Sequence, residues 1–146
     1  MPLSILFVCL GNTCRSLMAE ALARRRFGNA VIIASAGISP QPTEDTQRAV
    51  DALKTYFDID ASCHIPRHIN SVDLTAFDYI IAMDKRIAMH LTGIGQKVII
   101  WKIDDPWRAE DDLEYERCAV RINNELSKLP IAQWKAEKLR NEGTED

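Results

Sequence analysis

With 146 residues, 47% of them hydrophobic and 27% charged, the chain has the size and composition of one globular domain that can bury a core without disulfides or a structural metal. Six glycines and six prolines exclude a collagen-like or linker-like chain, and a net charge of -3 with a pI near 5.6 argues against a nucleic-acid partner, because that affinity rests on a cationic surface. The apolar run Leu3 to Leu10 is far shorter than the roughly 20 residues that cross a bilayer and has no Lys/Arg-rich start before it, so the expectation is a cytoplasmic protein without membrane association.

Ser4 to Val8 is a continuous apolar run bounded by Pro2 and Gly11, the pattern of a central strand buried on both faces. From Ser16 onward Leu17, Met18, Ala21, Leu22 and Phe27 recur at helical spacing until Gly28, which predicts a helix over 16–27. Ala30 to Ala34 reads as a second strand, ended by Ser35-Ala36-Gly37 before the Pro40/Pro42 loop, and strand, helix, strand implies a right-handed βαβ unit. Thr43 and Glu44 precede a helix carried by Ala49, Val50, Leu53, Tyr56 and Phe57. Phe77 to Met83 and Lys97 to Trp101 are further strands with a helix over 84–92 between them. Leu113 to Leu129 is helical, Pro130 starts or kinks a last amphipathic stretch, and a polar, frayed tail is expected from about residue 140. The alternation predicts one α/β domain over 1–146 with a four-stranded parallel sheet.

Ligands of such sheets bind beyond the carboxyl ends of the strands, next to helix N-termini. Cys9-Leu10-Gly11-Asn12-Thr13-Cys14-Arg15-Ser16 occupies that place. Gly11 and Asn12 tolerate left-handed conformations, so a loop this short can turn successive N–H groups inward as an anion nest, with the first turn of the helix adding its own donors. Arg15 supplies a planar guanidinium that grips two phosphoryl oxygens. Cys9 lies at the base of the nest, where amide dipoles, helix terminus and Arg15 favour thiolate over thiol, and Ser16 can donate to the sulfur. Cys14 is either a small packing residue or the partner of Cys9 in a reversible disulfide. The four cysteines, Cys9, Cys14, Cys63 and Cys118, with His64, His68 and His90, give no four-ligand zinc spacing, and neither a metal nor a cofactor is expected.

A thiolate that attacks phosphorus needs a neutral acid to protonate the departing atom. Asp104-Asp105-Pro106-Trp107 offers one after the last strand: Asp105 as acid and then base, with Asp104 as competitor and Trp107 as a pocket wall.

With these residues the chain resembles the low-molecular-weight protein tyrosine phosphatases over residues 3 to about 130. The resemblance rests on the Cys9–Ser16 signature, Ser35-Ala36-Gly37, His64-Ile65-Pro66-Arg67, Phe77 to Asp84, and Asp105-Pro106 followed by an aromatic. It implies a four-stranded parallel sheet flanked by helices on both faces, a phosphorylated protein as substrate, Asn12 bracing the loop, and Ser35 and His64 joining Asn12 and Ser16 in a supporting network. It implies no oligomeric state.

Two departures bear on substrate. Thr13 stands where phosphotyrosine-directed members usually carry a branched aliphatic and is similar to the bacterial protein arginine phosphatases, and Ile38 to Thr43 lacks an aromatic that stacks on a substrate ring. The expectation is a phosphotyrosine phosphatase first and a protein arginine phosphatase second. A thioredoxin-coupled arsenate reductase ranks lower, because Cys63 and Cys118 are far apart in sequence, as does a non-catalytic phosphate-binding module, which needs no proton donor at Asp105.

Overall fold

The computed structural model describes residues 1–40, 45–107 and 109–143. β1 (Leu3–Cys9) leads into α1 (Arg15–Phe27), β2 (Val31–Gly37), α2 (Asp45–Phe57), β3 (Tyr79–Ala82), α3 (Lys85–Met89), β4 (Lys97–Ile100), α4 (Leu113–Ser127) and α5 (Ile131–Gly143). Single 3₁₀ turns lie at Gly28–Ala30, Ile69–Ser71 and Leu74–Ala76.

The four strands form one sheet in the order β2-β1-β3-β4, and each neighbouring pair is parallel. β1 is central and buried along its whole length, as its unbroken apolar run requires. Its side chains alternate between two cores. Leu3, Ile5, Phe7 and Cys9 share a cluster with residues of α1, α2, α4 and α5, while Leu6 and Val8 pack with Ile87 and Leu91 on the other face, so helices cover both faces.

After β1 the chain adds β2 on one side and β3 on the other. The carboxyl end of β1 is therefore the switch point of the sheet, where a crevice opens and ligands of α/β folds bind. The Cys9–Ser16 loop starts there.

Several boundaries differ from the sequence reading, three of them by three or more residues. Ser35-Ala36-Gly37 continues β2 instead of ending it, because the parallel register with β1 runs through Cys9↔Gly37. The helix expected over 84–92 is only Lys85–Met89, capped by the Asp84 carboxylate accepting from Ile87 N. The tail expected to fray from about residue 140 is helical to Gly143. It is tied to the start of the sheet by Lys138, whose Nζ lies 2.7 Å from Asp78 Oδ2 and donates to Pro2 O at 2.8 Å, and by Trp134 stacked on Tyr79 at 3.8 Å between centroids. Gly28 does terminate α1, with φ 58 and its N–H donating to Arg24 O. Thr43, Glu44, Pro42 and the end of the Ile38 to Thr43 segment lie outside the described residues.

Candidate active site

The loop is shaped by hydrogen bonds that hold its carbonyls from behind. Ile38 N donates to Cys9 O at 3.1 Å and Ser39 N to Leu10 O at 2.8 Å. His64 Nε2 lies 2.7 Å from Asn12 O; a carbonyl only accepts, so Nε2 carries the proton. With these carbonyls drawn back to the scaffold, the Asn12 N–H faces the opposite side and donates to Cys9 Sγ at 3.2 Å. Gly37 makes room for this close approach: a Cβ there would meet Asn12 N and Leu10 O at 2.8 Å and Gly11 C at 2.9 Å. Of the two residues that tolerate a left-handed conformation, Asn12 takes it, with φ 55, and Gly11 does not. Gly11 instead gives space to Thr13, whose Oγ1 would lie 2.9 Å from a Cβ at that position.

α1 follows at once with Cys14 at its N-cap. Its first turn has neither an acidic residue nor a side-chain cap, which leaves its backbone donors and positive dipole end for an anion.

The polar contacts of Cys9 have a definite direction. Arg67 N, which can only donate, reaches Asn12 Oδ1 at 3.0 Å, so the amide nitrogen of Asn12 faces the opposite way. Asn12 Nδ2 donates to Ser16 Oγ at 2.8 Å and to Ser35 Oγ at 2.9 Å. The Ser35 hydroxyl in turn donates a hydrogen bond to Glu20 Oε1 at 2.8 Å. With its oxygen occupied by Asn12, the Ser16 hydroxyl is left to donate to Cys9 Sγ, 2.9 Å away. Asn12, Ser16 and Ser35 are fully buried, so this orientation is protected from water.

Arg15 is 3% exposed. Its Nη1 donates to Asp84 Oδ2 at 2.8 Å and to Ile103 O at 2.9 Å, and its Nη2 lies 3.6 Å from Asp105 Oδ2. Burial alone would release its proton more easily, but the Asp84 hydrogen bond, with Cys9 and Asp105 nearby, outweighs burial and raises its affinity above the ordinary value. Asp84 is held below the usual carboxylate range: burial opposes this, and the Arg15 hydrogen bond and the Ile87 N–H overcome it.

The structure separates the two acidic candidates after β4. Asp104 is fully exposed and lies 3.7 Å from Arg121. Asp105 faces Arg15, with its other oxygen accepting from Trp107 N at 3.0 Å. Trp107 is half exposed, as is Leu10, and Thr13 is buried at 6% exposure.

The structure therefore brings Cys9, Gly11, Asn12, Thr13, Cys14, Arg15, Ser16, Ser35, His64 and Asp105 to one end of the sheet. Sequence reasoning missed Asp84 and Glu20. Glu20 falls four residues after Ser16 on the same helical face, a signal available from spacing alone. Missed as well was the buried pair Tyr115 and Asp45, whose hydroxyl and carboxylate are hydrogen-bonded beside the site. Burial pushes the Asp45 carboxyl up, against the Tyr115 hydrogen bond and with the Asp105 charge.

A family model described as low molecular weight phosphotyrosine protein phosphatase matches residues 4–143. The low molecular weight phosphotyrosine protein phosphatase of Sus scrofa is 39% identical over 107 residues, 65% of this chain and 63% of the relative; the chain thus spans just under two thirds of that protein's length. Among solved structures, the low molecular weight protein tyrosine phosphatase of T. tengcongensis superposes with a TM-score of 0.77 at 27% identity, covering 86% of this chain and 96% of that one. A YwlE arginine phosphatase superposes with a TM-score of 0.71 at 26% identity, covering 85% of this chain and 91% of that one.

Proposed function

The chain belongs to the low molecular weight phosphotyrosine protein phosphatase family, and from that premise we propose that it is a phosphoprotein phosphatase that hydrolyses phosphomonoesters, phosphotyrosine first, through a phosphocysteine on Cys9. The observation that carries this reading is the Cys9 sulfur, which accepts from Asn12 N and faces the Ser16 hydroxyl while a buried guanidinium closes the same end of the loop.

In the first step the Cys9 thiolate attacks phosphorus, the S–P bond forms, and the P–O bond to the leaving group breaks. Asp105 delivers its proton to the departing oxygen. Arg15 and the amides of residues 10–16 follow the equatorial oxygens into the transition state, which is where donors fixed in advance contribute most. In the second step the Asp105 carboxylate takes a proton from water as the water attacks phosphorus, the S–P bond breaks, and Cys9 leaves as thiolate toward the Ser16 hydroxyl. Asp84 and Ile103 O orient Arg15; Ser35, Glu20 and His64 hold Asn12. Nucleophile, clamp and acid all come from the chain, so the reaction calls for no metal.

Thr13 favours phosphoarginine as the second reading, since it shares a hydroxyl position with the protein arginine phosphatases that the chain resembles, and one such enzyme is among the similar structures. An arsenate reductase of this kind relays oxidation through two further cysteines in a mobile stretch, whereas Cys63 is exposed and Cys118 is held on α4 in the buried core. A binding module would have no use for a carboxylate facing Arg15 across the loop. All four cysteines are free thiols, which suits a cytoplasmic protein acting on phosphorylated proteins.

The test is turnover by Cys9→Ser, expected to be abolished while phosphate still binds; turnover that survives would end the covalent mechanism. Rates on phosphotyrosine and phosphoarginine peptides, with arsenate plus thioredoxin as a third arm, then rank the substrates. Thr13→Ile is expected to shift the ratio toward phosphotyrosine, and an unchanged ratio would remove Thr13 as the selector.

A further inference from the structure

Cys14 and Cys118 take no part in the steps above, yet the fold brings them together. Cys14 sits at the N-cap of α1 and is 3% exposed; Cys118 sits on α4 and is 6% exposed. Cys118 and Cys9 both lie near enough to be felt by the Cys14 thiol, α1 packs against α4, and all three cysteines belong to one buried cluster. On its far side the Cys118 sulfur lies 4.0 Å from the carbonyl of Asp104, next to the proposed acid. Packing alone does not call for two thiols here, since cysteine packs as a small hydrophobe and an Ala or Val would fill the α1–α4 seam as well.

We propose that Cys14 and Cys118 form a disulfide that takes over oxidation first received at Cys9, so that exposure to a peroxide ends with Cys14 and Cys118 joined and Cys9 restored as a thiolate. This rests on Cys9 being the nucleophile. The Cys9 thiolate attacks one peroxide oxygen, the O–O bond breaks, and Cys9 becomes a sulfenic acid with release of hydroxide. The Cys14 thiol condenses with it, forming a Cys9–Cys14 disulfide and releasing water. Cys118 then loses its proton to the hydroxide and attacks the Cys14 sulfur; the new S–S bond forms and Cys9 leaves as thiolate. The sum is two thiols and one hydrogen peroxide giving one disulfide and two waters.

The last exchange has a direction set by solvation. The displaced sulfur is the one that Asn12 N and the Ser16 hydroxyl contact as donors, whereas the attacking sulfur sits among apolar side chains, and exchange expels the thiolate its surroundings stabilise better. Burial and the facing Cys118 thiol keep Cys14 protonated in the reduced chain, well above the usual thiol range, so Cys14 does not compete with Cys9 for the peroxide.

The experiment treats the full chain with equimolar hydrogen peroxide, alkylates free thiols at successive times, and maps the linkages by peptide mass while following phosphatase activity. The expected result is a Cys9–Cys14 link that gives way to Cys14–Cys118, with Cys9 again alkylatable and most activity regained without reductant. Cys118→Ala and Cys118→Ser are expected to match the untreated wild type in activity, to stop at Cys9–Cys14, and to stay inactive until reductant is added. Two variants guard against a packing defect in either one. A persistent Cys9–Cys14 link in the wild type, Cys118 alkylated at every time, or equal recovery in the Cys118 variants would overturn the proposal. Activity before peroxide reports on the phosphatase reading separately, and the linkage map remains decisive if that reading fails.

Discussion

Replacing Asn12 by alanine removes the residue that orients the whole loop. Its side chain makes three hydrogen bonds, to Ser16, Ser35 and the Arg67 N–H, at 2.8, 2.9 and 3.0 Å, all in a fully buried position. At about 0.5–1.5 kcal/mol net for each, their loss costs about 2–4 kcal/mol. The backbone adds to this, because Asn12 stands at φ 55 and alanine there costs about 1–2 kcal/mol that asparagine largely escapes. Asn12→Ala is therefore expected to destabilise the chain by about 3–6 kcal/mol. Asn12→Gly loses the same hydrogen bonds but relieves the backbone, and is expected to be the more stable variant by about 0.5–1 kcal/mol. Urea unfolding with equal m-values reads both numbers. The rise in Tm on adding phosphate reads whether the nest survives, and it should be lost in both variants. An Asn12→Ala chain within 1 kcal/mol of wild type, or a glycine variant less stable than the alanine one, would refute the reasoning.

Asp105→Ala should lower kcat/KM for esters with poor leaving groups by about 10²–10⁴-fold and for an activated aryl phosphate much less; an equal loss of kcat/KM for both would move the acid elsewhere, with Asp104 next. Gly37→Ala drives a Cβ into the backbone of residues 10–12, so it should cost about 1–3 kcal/mol in denaturant unfolding and abolish phosphate binding, while unaltered binding would show that the close approach is not needed. Asp84 is held below its ordinary value by Arg15, so its charge favours the folded chain above about pH 4, and that advantage fades as pH falls through the lowered folded value. The stability gap between wild type and Asp84→Asn should thus be full at neutral pH and close in acid. A gap that widens as pH falls would contradict the assigned pairing.

Much of this architecture is legible in the sequence because it follows from short-range patterns. The apolar run of β1, the spacing of α1 and the stop at Gly28 depend on local periodicity and on one residue's freedom at positive φ. The boundaries that went wrong depend on partners distant in the chain: Ser35-Ala36-Gly37 stays extended because β1 lies beside it, and the last helix persists to Gly143 because Asp78 and the start of β1 hold it. The site divides in the same way. Cys9, Arg15 and Ser16 are neighbours in one loop and can be read together. Asp84 and Ile103 O reach Arg15 from the ends of β3 and β4, and Cys118 reaches Cys14 from α4, across separations that no local pattern encodes. Asp105 was separable from Asp104 only once the loop's direction relative to Arg15 was visible.

The covalent step is the claim on which the rest depends, and it is open to direct observation. Asp105→Ala, mixed with an activated aryl phosphate and quenched in acid during turnover, should carry one phosphoryl group on the peptide that contains Cys9, in a bond with the lability of a thiophosphate ester. A phosphoryl group on any other residue, or full turnover with Cys9 unmodified at every time point, would contradict the account.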